Sequence, residues 1–219
     1  EKAGFEAYLI GGCVRDLLLK KKPKDWDFTT NAAPEEIMKI FPNTFYENEY
    51  GTVGVVNGNV SDASLDETLK VMEVTPYRLE AKYSNKRHPD AVTFGKKLAD
   101  DLKRRDFTMN AVALKIEKDP PAGGNIGCEV VVVDLFGGQK DLEDGIIRAV
   151  GEPAARFAED AQRILRAIRF SAELDFKIET KTAKAIKENA YHLENISGER
   201  IRDEFIKIVL SSNPMEGFL

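Results

Sequence analysis

The sequence predicts an α+β protein in which mixed strands and helices occupy residues 1–150 and helices alone occupy residues 151–219. Two observations support this division. Up to residue 150, short runs rich in β-branched residues alternate with helical patterns and glycine turns. From Gly151 onward, apolar residues recur only at helical spacing. We therefore expect two domains with a boundary close to Gly151.

The composition is that of an ordinary soluble protein, with 42% hydrophobic residues, 32% charged residues and a net charge of −5. No apolar run approaches membrane-spanning length, and the N-terminus lacks the pattern of a signal peptide. Cys13 and Cys128 do not have the spacing of a metal or redox motif, which favours a reducing, cytoplasmic compartment. The negative charge argues mildly against nucleic-acid binding, yet basic residues cluster at 20–24, 103–105 and 163–169. For the lysines at 20–24, a solvated surface is an equally good interpretation.

A glycine turn follows the first predicted strand. Tyr8 to Ile10 form a short apolar run that ends at Gly11 and Gly12, and apolar residues at helical spacing follow. Two glycines allow a sharp turn and leave backbone N–H groups uncovered by side chains. The start of the helix, with Arg15 in its first turn, would attract an anion. This pattern predicts a phosphate-binding turn.

Two carboxylates follow this turn. If Asp25 and Asp27 lie on one strand, both point to the same face, with Trp26 and Phe28 turned towards the core. Two like charges so close together are unfavourable unless a cation lies between them. The pair therefore predicts a Mg²⁺ site beside the phosphate-binding turn. The alternative is a solvated strand end, which the occurrence of both motifs in one unit makes the weaker interpretation.

A third acidic residue, Glu73, lies on a strand predicted at residues 68–75. It is either a solvent-facing strand residue or a third carboxylate that completes the metal site, and the sequence leaves both open. The remaining predicted helices cover residues 34–41, with Asn31 as the cap, and 98–114, 157–173, 180–193 and 197–210. Further strands are predicted within 45–56, at 92–94 and at 129–134, with a polar loop at 76–89 and a connector at 119–127.

The helical part contains a second group of charged residues. On one helix, Asp160 would share a face with Arg163, and further arginines follow at 166 and 169. The simpler interpretation is an intrahelical salt bridge and a basic surface stripe. Alternatively, the carboxylate accepts from an exocyclic amino group while the guanidinium donates to a ring nitrogen. That pattern fits cytosine and adenine and leaves buried polar groups unpaired with guanine and uracil.

Together these motifs resemble a known family, the class II tRNA nucleotidyltransferases, which comprise CCA-adding enzymes and bacterial poly(A) polymerases. Five motifs carry the resemblance in the expected order: LIGGCVRDLLL with DWDFTT, RRDFTMNAVAL, DLFGGQKDLEDGIIRAVG, EDAQRILRAIRF and ENISGERIRDEF. The resemblance implies a polymerase-β-like nucleotidyltransferase head at residues 1–150 and an all-helical neck at 151–219. Body and tail domains would follow in a longer protein.

The resemblance also implies roles for individual residues. Asp25 and Asp27 would be catalytic and hold Mg²⁺, with Glu73 as a weaker third catalytic candidate. Asp160 and Arg163 would pair with the incoming base, and the loop at 76–89 would help the switch from C to A. Family members often have an acidic residue where this chain has Asn85. The expected nucleotide-binding residues are Gly11, Gly12, Arg15, Arg105, Asp106, Asn110, Asp160, Arg163, Arg166 and Arg169.

The implied activity is addition of C and A from CTP and ATP to the 3′ end of tRNA. YGTVGVV and RRDFTMNAVA resemble CCA-adding members more than poly(A) polymerases, and the full-length loop disfavours a CC-adding enzyme. An A-adding enzyme remains an alternative. From another class, a non-catalytic RNA-binding module is disfavoured, because Asp25, Arg15 and Asp160 are all present.

Overall fold

The computed structural model describes residues 1–46, 51–58, 66–79, 94–117 and 129–217. These residues form two compact units. The described parts of residues 1–80, 92–104 and 110–135 make up the first unit, and those of 105–109 and 136–219 make up the second. Residues 136–150 therefore pack with the second unit. The division into two functional domains after residue 150 stays a prediction.

A mixed sheet of seven strands forms the first unit, in the order β3-β4-β5-β2-β1-β6-β7. β2 and β5 are parallel, and all other neighbouring pairs are antiparallel. This architecture confirms the predicted α+β class. The elements are β1 (Ala7–Ile10), α1 (Gly12–Leu18), β2 (Asp27–Thr30), α2 (Pro34–Ile40), β3 (Thr44–Tyr46), β4 (Val53–Val56), β5 (Val71–Pro76), α3 (Leu98–Lys103), β6 (Val112–Ile116) and β7 (Val130–Asp134).

Two apolar clusters hold α1 and α2 on the sheet. Val14 of α1 packs with Leu9 of β1 and with Val112 of β6, and Trp26 and Phe28 pack against the same cluster. Burial of each such side chain contributes about 2 kcal/mol. In the second cluster, α2 contacts β4 in the same way. The first cluster fixes α1 directly after β1, as the pattern of the glycine turn predicts.

The helix predicted at residues 98–114 is wrong beyond its first turns. α3 ends at Lys103, a 3₁₀ segment follows at Thr108–Asn110, and β6 begins at Val112. β6 lies between β1 and β7 and its first three residues are buried. A short, continuous apolar run has no periodicity that separates a buried strand from a buried helix.

The predicted cap of the second helix is also corrected. Ala33, and not Asn31, occupies the position before α2, and its N–H donates to Glu36 Oε2 at 2.7 Å. Asn31 Oδ1 instead accepts from the Glu6 N–H at 2.8 Å. Glu36 therefore takes the role predicted for Asn31 by satisfying a backbone donor at the start of the helix.

The second unit is mainly helical. The helix predicted at 157–173 is two helices, because the chain is extended at Asp160. Two short strands pair in parallel, so the expectation of helices alone after residue 150 is wrong at Lys177–Ile178. The elements are α4 (Gly138–Asp144), β8 (Ile146–Ile147), α5 (Pro153–Glu159), α6 (Gln162–Leu174), β9 (Lys177–Ile178), α7 (Thr180–Asn189), a 3₁₀ helix (Ala190–Asn195) and α8 (Gly198–Val209).

Within the described ranges, no helix combines the length and the apolar character needed to cross a bilayer. Several predictions fall outside those ranges. They concern the loop from residue 80 to 89 with Asn85, residues 92–93 of the predicted strand, the connector at 119–127, and Cys128.

Candidate active site

The glycine turn after β1 has the predicted geometry. Gly11 precedes α1 with φ 77° and ψ −134°, a conformation that side chains with a Cβ rarely adopt. A Cβ built on Gly12 would lie 3.8 Å from Arg15 Nη2 and 3.9 Å from Asp25 Oδ1. A guanidinium and a carboxylate therefore flank the backbone of Gly12, at the start of a helix.

The acidic residues lie on two neighbouring strands. Asp27 on β2 is the register partner of Glu73 on β5, and the Glu73 N–H donates to the Trp26 carbonyl at 3.0 Å. Register partners on adjacent strands point to the same face of a sheet. The structure thus brings Glu73 beside Asp27. Asp25 precedes the strand instead of lying on it, because β2 begins at Asp27.

Cys13 lies beneath these carboxylates. Its thiol contacts the carbonyls of Ile10 and Asp27 at 3.2 and 3.7 Å and is fully buried. Burial raises the pKa of the Cys13 thiol, and the negative charges of Asp27 and Asp25 add to the rise. The thiol therefore stays protonated and serves as a packing group, since nucleophilic cysteines need a lowered pKa.

Arg15 donates hydrogen bonds to the side chains of Asp16 and Asn110. Its Nε and Nη2 donate to Asp16 Oδ1 at 2.9 and 2.7 Å, and its Nη1 donates to Asn110 Oδ1 at 3.3 Å. Pairing of β1 with β6 brings Asn110, which lies just before β6, close to the start of α1. Asp16 was not among the residues that the sequence singled out, although it directly follows Arg15.

In the second unit, Asp160 lies between α5 and α6, so its predicted position on one helix with Arg163 is wrong. Its Oδ1 accepts from the Gln162 N–H at 3.0 Å, and its Oδ2 accepts from Arg200 Nη2 at 2.7 Å. Arg200 Nε also donates to Gln162 Oε1 at 2.6 Å. Two residues that the sequence analysis missed, Gln162 and Arg200, therefore orient this carboxylate.

Arg163 has its own anionic partner. Its Nη1 donates to Glu159 Oε2 at 2.7 Å and to the Arg156 carbonyl at 3.1 Å. Arg156 Nη2 donates to the other oxygen of Glu159 at 2.6 Å. The salt bridges of the half-buried Asp160 and Arg163 therefore connect them to Arg200 and Glu159, and not to each other.

The two further arginines of α6 make different contacts. Arg166 donates to Asp106 Oδ2 at 2.7 Å, and the negative charge of Asp106 raises the pKa of Arg166. Arg169 stacks on the Phe170 ring at 4.2 Å and lies 2.7 Å from Glu204 Oε2. This ion pair is close, although the N–H does not point along a hydrogen-bond direction. The half-buried Arg105 directly precedes Asp106.

The predicted site residues thus form two groups, each within one unit. Among the described residues, no three of the His, Cys, Asp and Glu side chains converge in a way that could hold a metal ion. The first unit contains Gly11, Gly12, Arg15, Asp25, Asp27, Glu73 and Asn110, and the second contains Arg105, Asp106, Asp160, Arg163, Arg166 and Arg169.

Comparison with known families gives two matches. Residues 7–148 match the model described as the poly A polymerase head domain. Residues 175–219 match the model described as a probable RNA and SrmB-binding site of polymerase A. The first match covers the glycine turn and the three carboxylates predicted for the metal site, Asp25, Asp27 and Glu73.

Curated relatives are similar over the whole chain. The CCA-adding enzyme of Lactobacillus helveticus is 44% identical over 219 residues, which is 100% of this chain and 49% of the relative. The CCA-adding enzyme of Pediococcus pentosaceus is 47% identical over 218 residues, which is 99% of this chain and 50% of the relative. The chain therefore spans about half the length of the curated relatives that it matches.

Solved structures show the same similarity. The Bacillus stearothermophilus CCA-adding enzyme in complex with CTP superposes with a TM-score of 0.77 at 40% identity, over 94% of this chain and 45% of that one. The Thermotoga maritima CCA-adding enzyme complexed with tRNA-CCA gives a TM-score of 0.71 at 28% identity, over 99% of this chain and 46% of that one.

Proposed function

We propose that this chain, which belongs to the family of the poly A polymerase head domain, is the nucleotidyltransferase part of a CCA-adding enzyme. The reaction is template-independent addition of C and A to the 3′ end of tRNA. The 3′-hydroxyl of the tRNA attacks the α-phosphate of CTP or ATP, and pyrophosphate leaves. Relatives whose structures contain CTP or tRNA support both substrates.

The phosphate end of the nucleotide is assigned to the first unit. Arg15 and the backbone N–H groups of the Gly12 turn bind the β- and γ-phosphates, which places the α-phosphate for in-line attack. Transfer of this kind depends mainly on positioning and on stabilisation of charge. Because the turn lacks side chains, the triphosphate can approach the backbone closely.

The carboxylates Asp25 and Asp27 are assigned to Mg²⁺, with Glu73 as a third acidic residue. Oxygen ligands suit Mg²⁺, which is usually held by one or two carboxylates together with the phosphates of the substrate. The register of Asp27 with Glu73, and the position of Asp25 beside Gly12, fit such a site. When bound, Mg²⁺ lowers the pKa of the attacking hydroxyl and neutralises charge on the phosphates.

The base end is assigned to the second unit. Each oxygen of an ionised carboxylate has two acceptor positions, so Asp160 can accept from a base amino group while it remains bonded to Gln162 and Arg200. Arg163 donates to the unprotonated ring nitrogen of C or A. Asp106, Arg105, Arg166 and Arg169 line the nucleotide site around this pair. We place the reaction in the cytoplasm, where tRNA is processed.

One observation carries the proposal: a guanidinium and a carboxylate both lie within 4 Å of the Cβ position of Gly12. This arrangement supports a phosphate-binding role for Arg15 and a metal-binding role for Asp25 at one backbone turn. A non-catalytic RNA-binding module would have no use for this juxtaposition. An A-adding enzyme, a CC-adding enzyme and a poly(A) polymerase would share it, so the nucleotide products must separate them.

The test incubates the chain with tRNA that lacks its 3′ end and with labelled CTP, labelled ATP, or both. We expect C residues from CTP alone and a complete CCA end from both nucleotides. Asp27→Ala should lower incorporation at least about a thousandfold while CTP binding survives, because the metal acts mainly on the transition state. Asp144→Asn, at an exposed salt bridge of α4, is the matched control. Normal turnover by Asp27→Ala would refute the metal assignment.

A further inference from the structure

The contacts of Arg15 point to a function for its neighbours. The Asp16 carboxylate accepts from two nitrogens of the Arg15 guanidinium, and the Asn110 amide oxygen accepts from the third. The side chains of Arg15 and Asp16 are each only 13% exposed, and Asn110 is 5% exposed. Such contacts restrict an arginine far more than a salt bridge in open solvent does.

The direction in which the Arg15 side chain points matters for ligand binding as much as its restricted motion. Neighbouring residues on a helix do not normally face each other. The Arg15 side chain nevertheless turns to Asp16 on one side and reaches Asn110 on the other, and its Nη2 then lies 3.8 Å from the Cβ position of Gly12. An arginine fixed in this place before its ligand arrives does not lose rotamer freedom on binding.

We infer that Asp16 and Asn110 are positioning residues, which hold the Arg15 guanidinium at the Gly12 turn for the triphosphate of the incoming nucleotide. This inference rests on the proposed function. Asp16 also brings a negative charge close to that triphosphate, which by itself would weaken binding. The two effects have opposite signs, so removal of the charge of Asp16 distinguishes positioning from simple repulsion.

The experiment measures CTP binding to the chain in the presence of Mg²⁺, through the fluorescence of Trp26. Trp26 is the only tryptophan, and it lies between Asp25 and Asp27. Asp16→Asn should weaken CTP binding about tenfold, because the charge-assisted contacts that orient Arg15 are lost. Asn110→Ser should weaken binding about threefold, since its contact with Arg15 is the longer one and involves no charge on Asn110. Asp16→Glu should restore part of the affinity.

Asp203→Asn is the matched control, because Asp203 also pairs with the preceding arginine but is 55% exposed. Kinetics on tRNA should show a larger rise in KM for CTP than fall in kcat for Asp16→Asn. In an Arg15→Ala background, Asp16→Asn should cause no further loss, whereas a merely structural contribution of Asp16 would add to the loss.

The outcomes separate this inference from the proposed function. Unchanged or tighter CTP binding by Asp16→Asn, or additive losses in the double variant, would overturn the inference and leave the proposed function standing. A wild-type chain that binds no CTP would overturn the proposed function itself. Weaker CTP binding by Asp16→Asn that occurs only when Arg15 is present supports both the inference and the proposed function.

Discussion

The Asp160 carboxylate accepts hydrogen bonds from Gln162 and Arg200. The Arg163 guanidinium donates to Glu159 and to the Arg156 carbonyl. Both side chains are therefore held by the protein before a nucleotide binds. Base selection needs such fixed groups, because a mobile side chain could rotate to satisfy guanine or uracil as well. A direct bridge between the two would instead have to break for each nucleotide.

Arg163→Ala should reduce the preference for CTP over UTP at least about tenfold, because the donor that rejects the N–H of uracil is removed. The ratio of kcat/KM values for the two nucleotides measures this preference. Arg202→Ala, on the exposed surface of α8, is the control. An unchanged ratio in Arg163→Ala would rule out base selection by this residue.

At the scale of elements, polar side chains join α6 to α8. Glu204 is 2% exposed, and its carboxylate meets Arg169 at 2.7 Å and Gln162 Nε2 at 3.2 Å. Buried ion pairs of this kind stabilise little in total, but removal of one partner leaves a charge without compensation. Loss of one of the two charges should therefore destabilise this helix pair more than loss of both.

Arg169→Met should destabilise the chain by about 3 kcal/mol, because the buried Glu204 carboxylate loses the guanidinium at 2.7 Å and keeps the half-exposed Lys207 at 3.9 Å. Urea unfolding measures this loss. Met at both positions 169 and 204 should recover most of the stability, since this contact between α6 and α8 then buries no charge. If the double variant is less stable than Arg169→Met, the charge of Glu204 is not the cause of the loss.

The elements also show where sequence reasoning fails. The strand that carries Asp27 and the helix after Gly12 follow from local patterns, and the structure has both. By contrast, Asp160 at the helix break contacts Arg200, 40 residues further along the chain, and no pattern around residue 160 indicates that contact. The strand at 112–116 depends on neighbours on both sides of it. Local periodicity does not contain that information.

For the whole molecule, the position of Glu73 is the clearest example of the same limit. Its sequence context left a solvent-facing residue and a site residue equally open. The parallel pairing of β2 with β5 brings it beside Asp27, although 46 residues separate the two in sequence. The sheet topology, which no local pattern specifies, places an exposed Glu73 beside Asp27, and its part in a metal site stays a prediction.

Stability should fall in acid because two carboxylates have lowered pKa values in the folded chain. Hydrogen bonds from Lys22 and Thr68 lower the pKa of Asp66 from 3.8 to about 2. For Glu179, burial opposes ionisation, but hydrogen bonds from Thr182 and the charge of Arg148 lower the pKa below 4.5. A lowered folded-state pKa gives stability above the unfolded value, which is lost as the pH falls.

The urea midpoint should therefore drop progressively as the pH decreases from about 4.5 to about 2. Glu179→Gln should be less stable than wild type above that range and should show a shallower decline within it. Thr182→Val removes the hydroxyl that donates to Glu179. This variant should also be less stable than wild type above that range and show a shallower decline within it. Parallel declines for all three chains would show that Glu179 does not contribute to the acid sensitivity.

β7 is the last strand of the described sheet and pairs with β6 on one side. Its residues Val130, Val131 and Val132 are between 36% and 47% exposed. Four consecutive valines on a strand that, within the described part of the chain, pairs on one side favour self-association in concentrated solution, and Glu129 and Asp134 act as charged gatekeepers at either end. Variants made for purification or crystallisation should therefore keep Glu129 and Asp134. A Val131→Lys substitution would add a charge to the strand and help to keep the protein monodisperse.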